Sequence, residues 1–170
     1  MYEDIIKKAF PEIDEIKDED LRNKVIATWD MAMRKGGWND LKGIPYTLTM
    51  ETDREFVEHT GMVTRIAMGA AKARRDLDMD MVIAAALLHD VGKLLEFEVK
   101  DGKVVKSAYG KMIRHPVSGA ILASEAGLPD EIVHAIIAHS KEGEAVKRTP
   151  LAVLIHHADF IDFEIDKARK

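Results

Sequence analysis

Residues 81–93 have the sequence MVIAAALLHDVGK, which differs from the rest of the chain in its long apolar run. Every residue from 81 to 88 is apolar, as in a helix that is buried on all sides in the middle of a bundle. We expect this helix to begin near Asp80 and to run to Gly92. It carries His89 and Asp90, two polar side chains that are costly to bury without a partner. The stretch therefore predicts a central helix that leads into a polar site.

Helical patterns lie on both sides of this central stretch. Apolar residues recur at helical spacing, and caps or breakers separate the runs. The predicted helices are residues 3–10, residues 18–35, a helix opened by the capping box Thr52-x-x-Glu55, a helix from His115 to Gly127, a helix from Pro129 onward and a last one opened by Thr149-Pro150. Residues 38–51 contain Gly and Pro and are interpreted as an ordered loop.

One short segment departs from the helical period. Leu95, Phe97 and Val99 alternate with charged residues, and Asp101-Gly102 separates them from a second apolar run. Asp-Gly between two alternating runs is the strongest short signal of a β-hairpin. The sequence therefore predicts an all-α fold, a helical bundle with a small β-hairpin insert near residues 95–106.

Composition limits the classes of function. With 170 residues, 46% of them hydrophobic and 32% charged, the chain suits one globular domain. A formal net charge of −5 disfavours a general nucleic-acid coat, so no nucleic-acid polymer is expected as a partner. The N-terminus does not resemble a signal peptide and no long apolar run is present, so we expect no membrane contact and a cytoplasmic location. There is no cysteine, so any metal must be held by His and carboxylate side chains.

Six polar side chains fall on stripes that face the predicted core. They are His59, His89, Asp90, His115, His139 and Asp159. A single inward-facing histidine is usually a hydrogen-bonded core residue. Four imidazoles and two carboxylates from separate helices of one small bundle are different, because burying each charge costs several kcal/mol unless it is paired or bound to metal. The set therefore predicts a metal site.

These residues, in the order H…HD…H…H…D, resemble the HD-domain superfamily of metal-dependent phosphohydrolases. The intervals of 30, 25, 24 and 20 residues suit helices separated by loops, and the contexts HDVGK, RHPVSGA and AIIAHS strengthen the likeness. The likeness covers residues 52–165 and implies a metal-binding core there. Residues 1–51 are then a helical extension of a single HD-type domain that spans residues 1–170.

The resemblance also implies roles for the six residues. His59, His89, Asp90 and Asp159 would hold a first metal, and Asp90 would bridge to a second metal held by His115 and His139. Two divalent ions, drawn from Fe, Mn, Co, Mg or Zn, would generate a hydroxide nucleophile and clamp a phosphoryl group. Lys93, one helical turn beyond Asp90, would act with it in catalysis by stabilising charge on the phosphate.

The expected function is hydrolysis of a small phosphoester or nucleotide, and the expected partner is such a small phosphorylated molecule. A diiron oxygenase that cleaves an organophosphonate or a polyol is one alternative, and a nucleotide-binding regulatory module is another. The apolar positions on the surface could form the interface of a homodimer. Further polar residues have open roles: Arg114 near a phosphate, His156 or Asp162 as orienting partners of a ligand, and Trp38, Tyr46, Thr47, Thr49 and Arg54 as a cover over the site.

Overall fold

The computed structural model describes residues 2–169, and within them the fold is a helical bundle with one two-stranded hairpin. This confirms the all-α prediction with its hairpin insert. The helices are α1 (Glu3–Ala9), α2 (Glu19–Gly36), α3 (Phe56–Arg74), α4 (Met79–Leu88), α5 (Lys93–Glu96), α6 (Ala108–Met112), α7 (His115–Glu125), α8 (Asp130–Ala138) and α9 (Pro150–Ala168). Single 3-10 turns lie at Pro11–Glu15 and Lys141–Ala145, and the strands are β1 (Phe97–Lys100) and β2 (Lys103–Lys106).

Helix α4 lies at the centre, and its residues 82–88 are all buried. The Asp78 carboxylate caps its start by accepting the Met81 N–H at 3.0 Å. The helix ends at Leu88, four residues before the predicted end at Gly92. Because the helix is apolar on all faces, its hydrophobic periodicity does not indicate where it ends. The following residues form tight turns, in which the Val91 N–H reaches the Leu88 carbonyl at 3.1 Å, and α5 begins at Lys93.

The start of α3 is also corrected. The helix begins at Phe56 rather than Thr52, because Glu55 is extended and forms an isolated antiparallel bridge with Pro45. The Phe56 N–H donates to the Ile44 carbonyl at 2.7 Å. A capping box is present three residues later than predicted, with the Glu55 N–H donating to the Glu58 carboxylate at 3.0 Å. Residues 37–55, which we call the strap, therefore run from α2 to α3 as an ordered segment.

The N-terminal helices share the core of the bundle. Trp29 of α2 is fully buried, with its ring centroid 4.5 Å from that of Phe10 and 5.6 Å from that of Phe56. One cluster of buried apolar side chains runs from Ile6 to Ala158. In residues 2–169 no helix combines the length and the apolar character needed to cross a membrane.

The hairpin follows the predicted turn. Strands β1 and β2 are antiparallel with Lys100 opposite Lys103, and Asp101 and Gly102 have φ angles of 51° and 74°. Positive φ at both turn positions matches the right-handed twist of the strands and favours Asp-Gly. The hairpin therefore leaves the bundle directly after α5 and returns to it at α6.

Candidate metal centre

The structure brings the six predicted side chains together from five segments of the chain. His59 comes from α3, His89 and Asp90 from the turn after α4, His115 from the first residue of α7, His139 from the end of α8 and Asp159 from α9. All are buried except Asp159, which is partly exposed. Four of them lie at helix ends or in turns, from which their side chains reach the interior of the bundle.

The donor atoms form two groups. The first is His59, His89 and Asp159, with their ligand atoms within 4.8 Å of one another. His59 Nε2 is 3.2 Å from Asp159 Oδ1 and 3.4 Å from His89 Nε2. Two imidazole nitrogens and a carboxylate oxygen therefore face one point.

The second group is Asp90, His115 and His139, again within 4.8 Å. Asp90 Oδ1 is 3.2 Å from His115 Nε2 and 3.6 Å from His139 Nε2. The other oxygen of Asp90 faces the first group, at 3.5 Å from His59 Nε2 and 3.3 Å from His89 Nε2. Asp90 thus lies between the two groups with one oxygen toward each.

The chemistry of these donors fits divalent metal ions. Neutral imidazole suits Zn, Fe, Co and Ni, and carboxylate suits Mg and Mn, so a mixed set accepts several divalent metals. Within the part of the chain that the structure describes, both groups combine two imidazoles with one carboxylate. The residues therefore fit the metal that the sequence predicted.

The electrostatics of the cluster favour charged carboxylates. Burial by itself raises the pKa of Asp90, but the charges of Lys93 and the imidazoles outweigh it and hold that pKa well below its usual range. Burial also opposes ionisation of Asp159, yet the hydrogen bond from His59 brings its pKa to about 2. Burial lowers the pKa of His59, but its three carboxylate partners raise it to about 10. The carboxylates are thus anionic near neutral pH, as metal ligands must be.

Lys93 lies inside the cluster, as predicted. Its Nζ is 2.5 Å from Asp90 Oδ2 and 2.5 Å from the backbone carbonyl oxygen of Tyr46 in the strap. The Tyr46 ring in turn stacks on His59, with centroids 4.7 Å apart. The strap therefore contacts the centre through both its backbone and an aromatic side chain.

The remaining sequence candidates take different places. Asp162 contacts His59 Nδ1 at 2.7 Å, whereas His156 Nδ1 donates to the His139 carbonyl at 2.7 Å. Arg114 pairs with Glu142 at 2.7 Å. The Trp38 indole donates to the Leu94 carbonyl at 2.7 Å and packs in the core.

One buried acid beside the cluster was missed by sequence reasoning. Glu96 Oε2 is 2.7 Å from His115 Nδ1 and accepts the His115 backbone N–H at 2.6 Å. Burial raises the pKa of Glu96, but these bonds and Lys106 bring it to about 2. The only signal in the sequence was an acid among apolar neighbours in KLLEF, at the point where the hairpin begins.

A cavity of about 660 Å³ opens above the two groups. His59, Asp90, His115 and Asp159 lie in its wall. Five basic side chains also line it: Lys93, Lys106, Arg114, Lys141 and Lys167. Three of these cations pair with carboxylates, Lys93 with Asp90, Lys106 with Glu96 and Arg114 with Glu142. Basic side chains in the wall suit a phosphate-bearing ligand, although the chain is acidic overall.

Comparison with known families identifies this arrangement. The family model described as "HD domain" matches residues 56–164. The chain belongs to the HD-domain family. The family resemblance drawn from the ordered His and Asp residues is thereby confirmed, and all six residues lie within the matched segment.

Curated relatives of this HD-domain protein include several called ribonuclease Y. The chain is 29% identical over 170 residues to that of Desulfotalea psychrophila, an alignment that covers 99% of this chain and 29% of the relative. It is 40% identical over 93 residues to that of Thermobifida fusca, which covers 55% of this chain and 16% of the relative. The chain thus spans less than a third of the length of these relatives. No solved structure is significantly similar to it.

Family membership and these relatives support a metal-dependent hydrolase that binds divalent metal. They also overturn one prediction. The expectation that excludes a nucleic-acid polymer as partner is wrong, because relatives whose alignments cover 99% of this chain are named ribonuclease Y. The expectation rested on the net charge of −5. A net charge describes the whole chain and does not show that five basic side chains line one cavity.

Proposed function

We propose that this HD-domain protein hydrolyses phosphodiester bonds in RNA with two divalent ions, one held by each group of donors. The observation that carries the proposal is the position of Asp90, between two groups of imidazoles at the wall of a cation-lined cavity. Two ions at such a site supply an activated water and charge stabilisation for displacement at phosphorus. The names of the relatives support RNA as the substrate class.

The proposed division of the residues follows the geometry. His59, His89 and Asp159 hold one ion, and His115 and His139 hold the other. Asp90 would serve both ions, because each of its oxygens faces a different pair of imidazoles. A carboxylate can contact two ions at once, whereas an imidazole nitrogen contacts one.

Lys93 has the proposed role of a cation beside the reacting phosphate. It lines the cavity, and the Tyr46 carbonyl and Asp90 fix its ammonium group in place. A fixed cation stabilises the charge that develops on phosphate oxygens better than a mobile one, because it need not reorganise during the reaction.

The cavity favours the end of a single strand over a duplex. A volume of about 660 Å³ lies in the range of small-ligand sites and would admit about one or two nucleotides. Aromatic side chains also line it, namely Tyr46, Phe97, Phe160 and Phe163. Aromatic rings bind unpaired bases by stacking, which tolerates any sequence. We therefore propose that a strand end enters the cavity with its last phosphodiester beside Asp90 and Lys93.

The test uses the full chain, purified without oxygen and loaded with Mn²⁺ or Co²⁺, and an end-labelled single-stranded RNA. We expect stepwise shortening of the RNA that requires the metal and proceeds without oxygen. Asp90→Asn should lower the rate by more than about 100-fold, since partners outside the ligand shell are alone worth about 10–100-fold. Asp101→Asn, in the exposed hairpin turn, is the matched control and should cleave normally.

The other outcomes separate the competing functions. Release of phosphate from mononucleotides with intact RNA would refute RNA as the substrate. Oxygen consumption with a phosphonate or polyol would indicate the oxygenase chemistry instead. RNA retained through gel filtration without products would indicate a binding module.

A further inference from the structure

All four imidazoles of the centre form a hydrogen bond through Nδ1, the ring nitrogen that faces away from the cluster. In two of them the partner is a backbone carbonyl three residues earlier: His89 Nδ1 is 2.7 Å from the Ala86 oxygen, and His139 Nδ1 is 2.6 Å from the Ile136 oxygen. A carbonyl only accepts, so Nδ1 carries the proton, and in the neutral imidazole Nε2 presents its lone pair to the cluster. The turn of the helix itself therefore orients one imidazole in each group.

The other imidazole in each group is backed by a carboxylate. His59 Nδ1 is 2.7 Å from Asp162 Oδ2, and His115 Nδ1 is 2.7 Å from Glu96 Oε2. Both acids are buried, with side chains 9% and 7% exposed. A carboxylate behind an imidazole fixes the tautomer and makes the far nitrogen a stronger ligand than a carbonyl does.

Each of these carboxylates is held in turn by a cation from outside the ligand helices. Arg54 in the strap lies 3.0 Å from Asp162 Oδ2, and Lys106 in β2 lies 3.0 Å from Glu96 Oε1. The same order of imidazole, carboxylate and cation thus occurs twice. Unrelated segments build the two copies, since one uses α9 and the strap and the other uses α5 and the hairpin.

We infer that Asp162 and Glu96 are positioning residues, each of which sets how tightly one of the two groups holds its ion. Arg54 and Lys106 act on the same ions through those carboxylates. The strap therefore affects how tightly the His59 group binds its ion, and the hairpin affects how tightly the His115 group binds the other ion. This inference rests on the proposal that the two groups bind metal.

The test measures metal binding and not activity. The full chain is stripped with chelator and titrated with Co²⁺, followed by calorimetry and by the visible absorption of the bound ion. In a His139→Ala background, which leaves the His59 group, Asp162→Asn should weaken Co²⁺ binding by about 10–100-fold and shift the spectrum. Glu96→Gln in that background should change neither.

The reverse pattern is expected in a His59→Ala background, which leaves the His115 group. There Glu96→Gln should weaken binding and Asp162→Asn should not. The matched controls are Glu164→Gln on α9 and Glu98→Gln on β1, two exposed acids on the same elements. Neither should affect Co²⁺ affinity in either background.

Milder variants decide the matter if either acid proves necessary for folding. Arg54→Gln should lower the Co²⁺ affinity of the His59 group, and Lys106→Met should lower that of the His115 group. Each loss should be a few-fold, about a tenth of the effect of losing the carboxylate. Lys103→Met on the same strand is the control for Lys106. Unchanged affinity in these folded variants, or equal loss at both groups, would overturn the inference. Failure of the parent chain to bind Co²⁺ would instead refute the proposed metal centre.

Discussion

Asp90 is the residue on which the centre depends. It is 2% exposed, and its two oxygens contact four imidazoles and the Lys93 ammonium. A buried carboxylate with so many partners is anionic, and an anion is what a bridging ligand must be. Lys93 compensates that charge through its ion pair with Asp90, so the two residues form one electrostatic unit.

Lys93 can be tested by a change that keeps its length and removes its charge. Lys93→Met should lower the rate of RNA cleavage by about 100-fold, as loss of one fixed charge-stabilising group does. Metal affinity should stay equal or rise, because Asp90 loses a competing cation. Rates and Co²⁺ titrations of the two proteins are the measurement.

Lys100→Met, an exposed change in β1, is the control for Lys93→Met and should leave both quantities unchanged. A normal cleavage rate with bound metal would show that Lys93 only compensates the charge of Asp90.

Among single residues, the sequence predicted the six inner donors, left Asp162 as one of two candidates and missed Glu96. The six donors share a recognisable order, so their convergence could be predicted. Asp162 was one of two candidates one turn from Asp159, and only the structure shows that it faces His59. Glu96 could not be found, because its contact with His115 depends on how α5 meets α7.

Among the elements, the turn between α4 and α5 packs closely against α7 at Gly92. A Cβ built on Gly92 would lie 2.2 Å from the His115 carbonyl oxygen and 2.5 Å from the Gly119 nitrogen. Both are backbone atoms that cannot move aside. The absent side chain therefore lets α7 approach until His115 reaches Asp90.

Two glycine substitutions should have opposite effects on stability. Gly92→Ala should lower the free energy of unfolding by at least about 1–3 kcal/mol, as overpacking does. Gly69→Ala, inside α3 with nothing within 4 Å of the new Cβ, should raise it by about 0.5–1 kcal/mol. Urea unfolding monitored by circular dichroism measures both, and a stabilised Gly92→Ala protein would contradict the packing argument.

Long helices were predictable and short elements were not. The last helix begins as predicted, with the Thr149 hydroxyl accepting the Ala152 N–H at 3.2 Å, because a cap and a proline mark it. Helices α5 and α6 have 4 and 5 residues, too few for a period to emerge. The start of α3 was predicted too early because strand-like bonds to the strap override the local cap.

For the whole molecule, the N-terminal third is part of the bundle. Trp29 packs between Phe10 and Phe56, and Asp80 at the start of α4 accepts the backbone N–H groups of Lys17 and Asp18 at 3.0 and 2.8 Å. We therefore propose that residues 1–170 fold as one unit, although residues 52–165 hold all six donors.

A deletion tests this unity. Removal of residues 1–51 should abolish cooperative folding, because it uncovers Phe56 and the core face of α4 and removes Trp29, whose loss alone would cost about 3–5 kcal/mol. Thermal unfolding followed by circular dichroism should show no sharp transition in the shortened chain. A sharp transition with normal Co²⁺ binding would show that residues 52–170 fold independently.

The contact between His59 and Asp159 has a consequence for kinetics. These two residues are 100 positions apart, and so an ion between them closes most of the chain into a loop. The ends of so long a loop meet late in folding, because the entropy of closure must be lost before the contact forms. Added metal should therefore leave the refolding rate nearly unchanged and lower the unfolding rate. The ion would then bind after the structure has assembled and stabilise only the folded state.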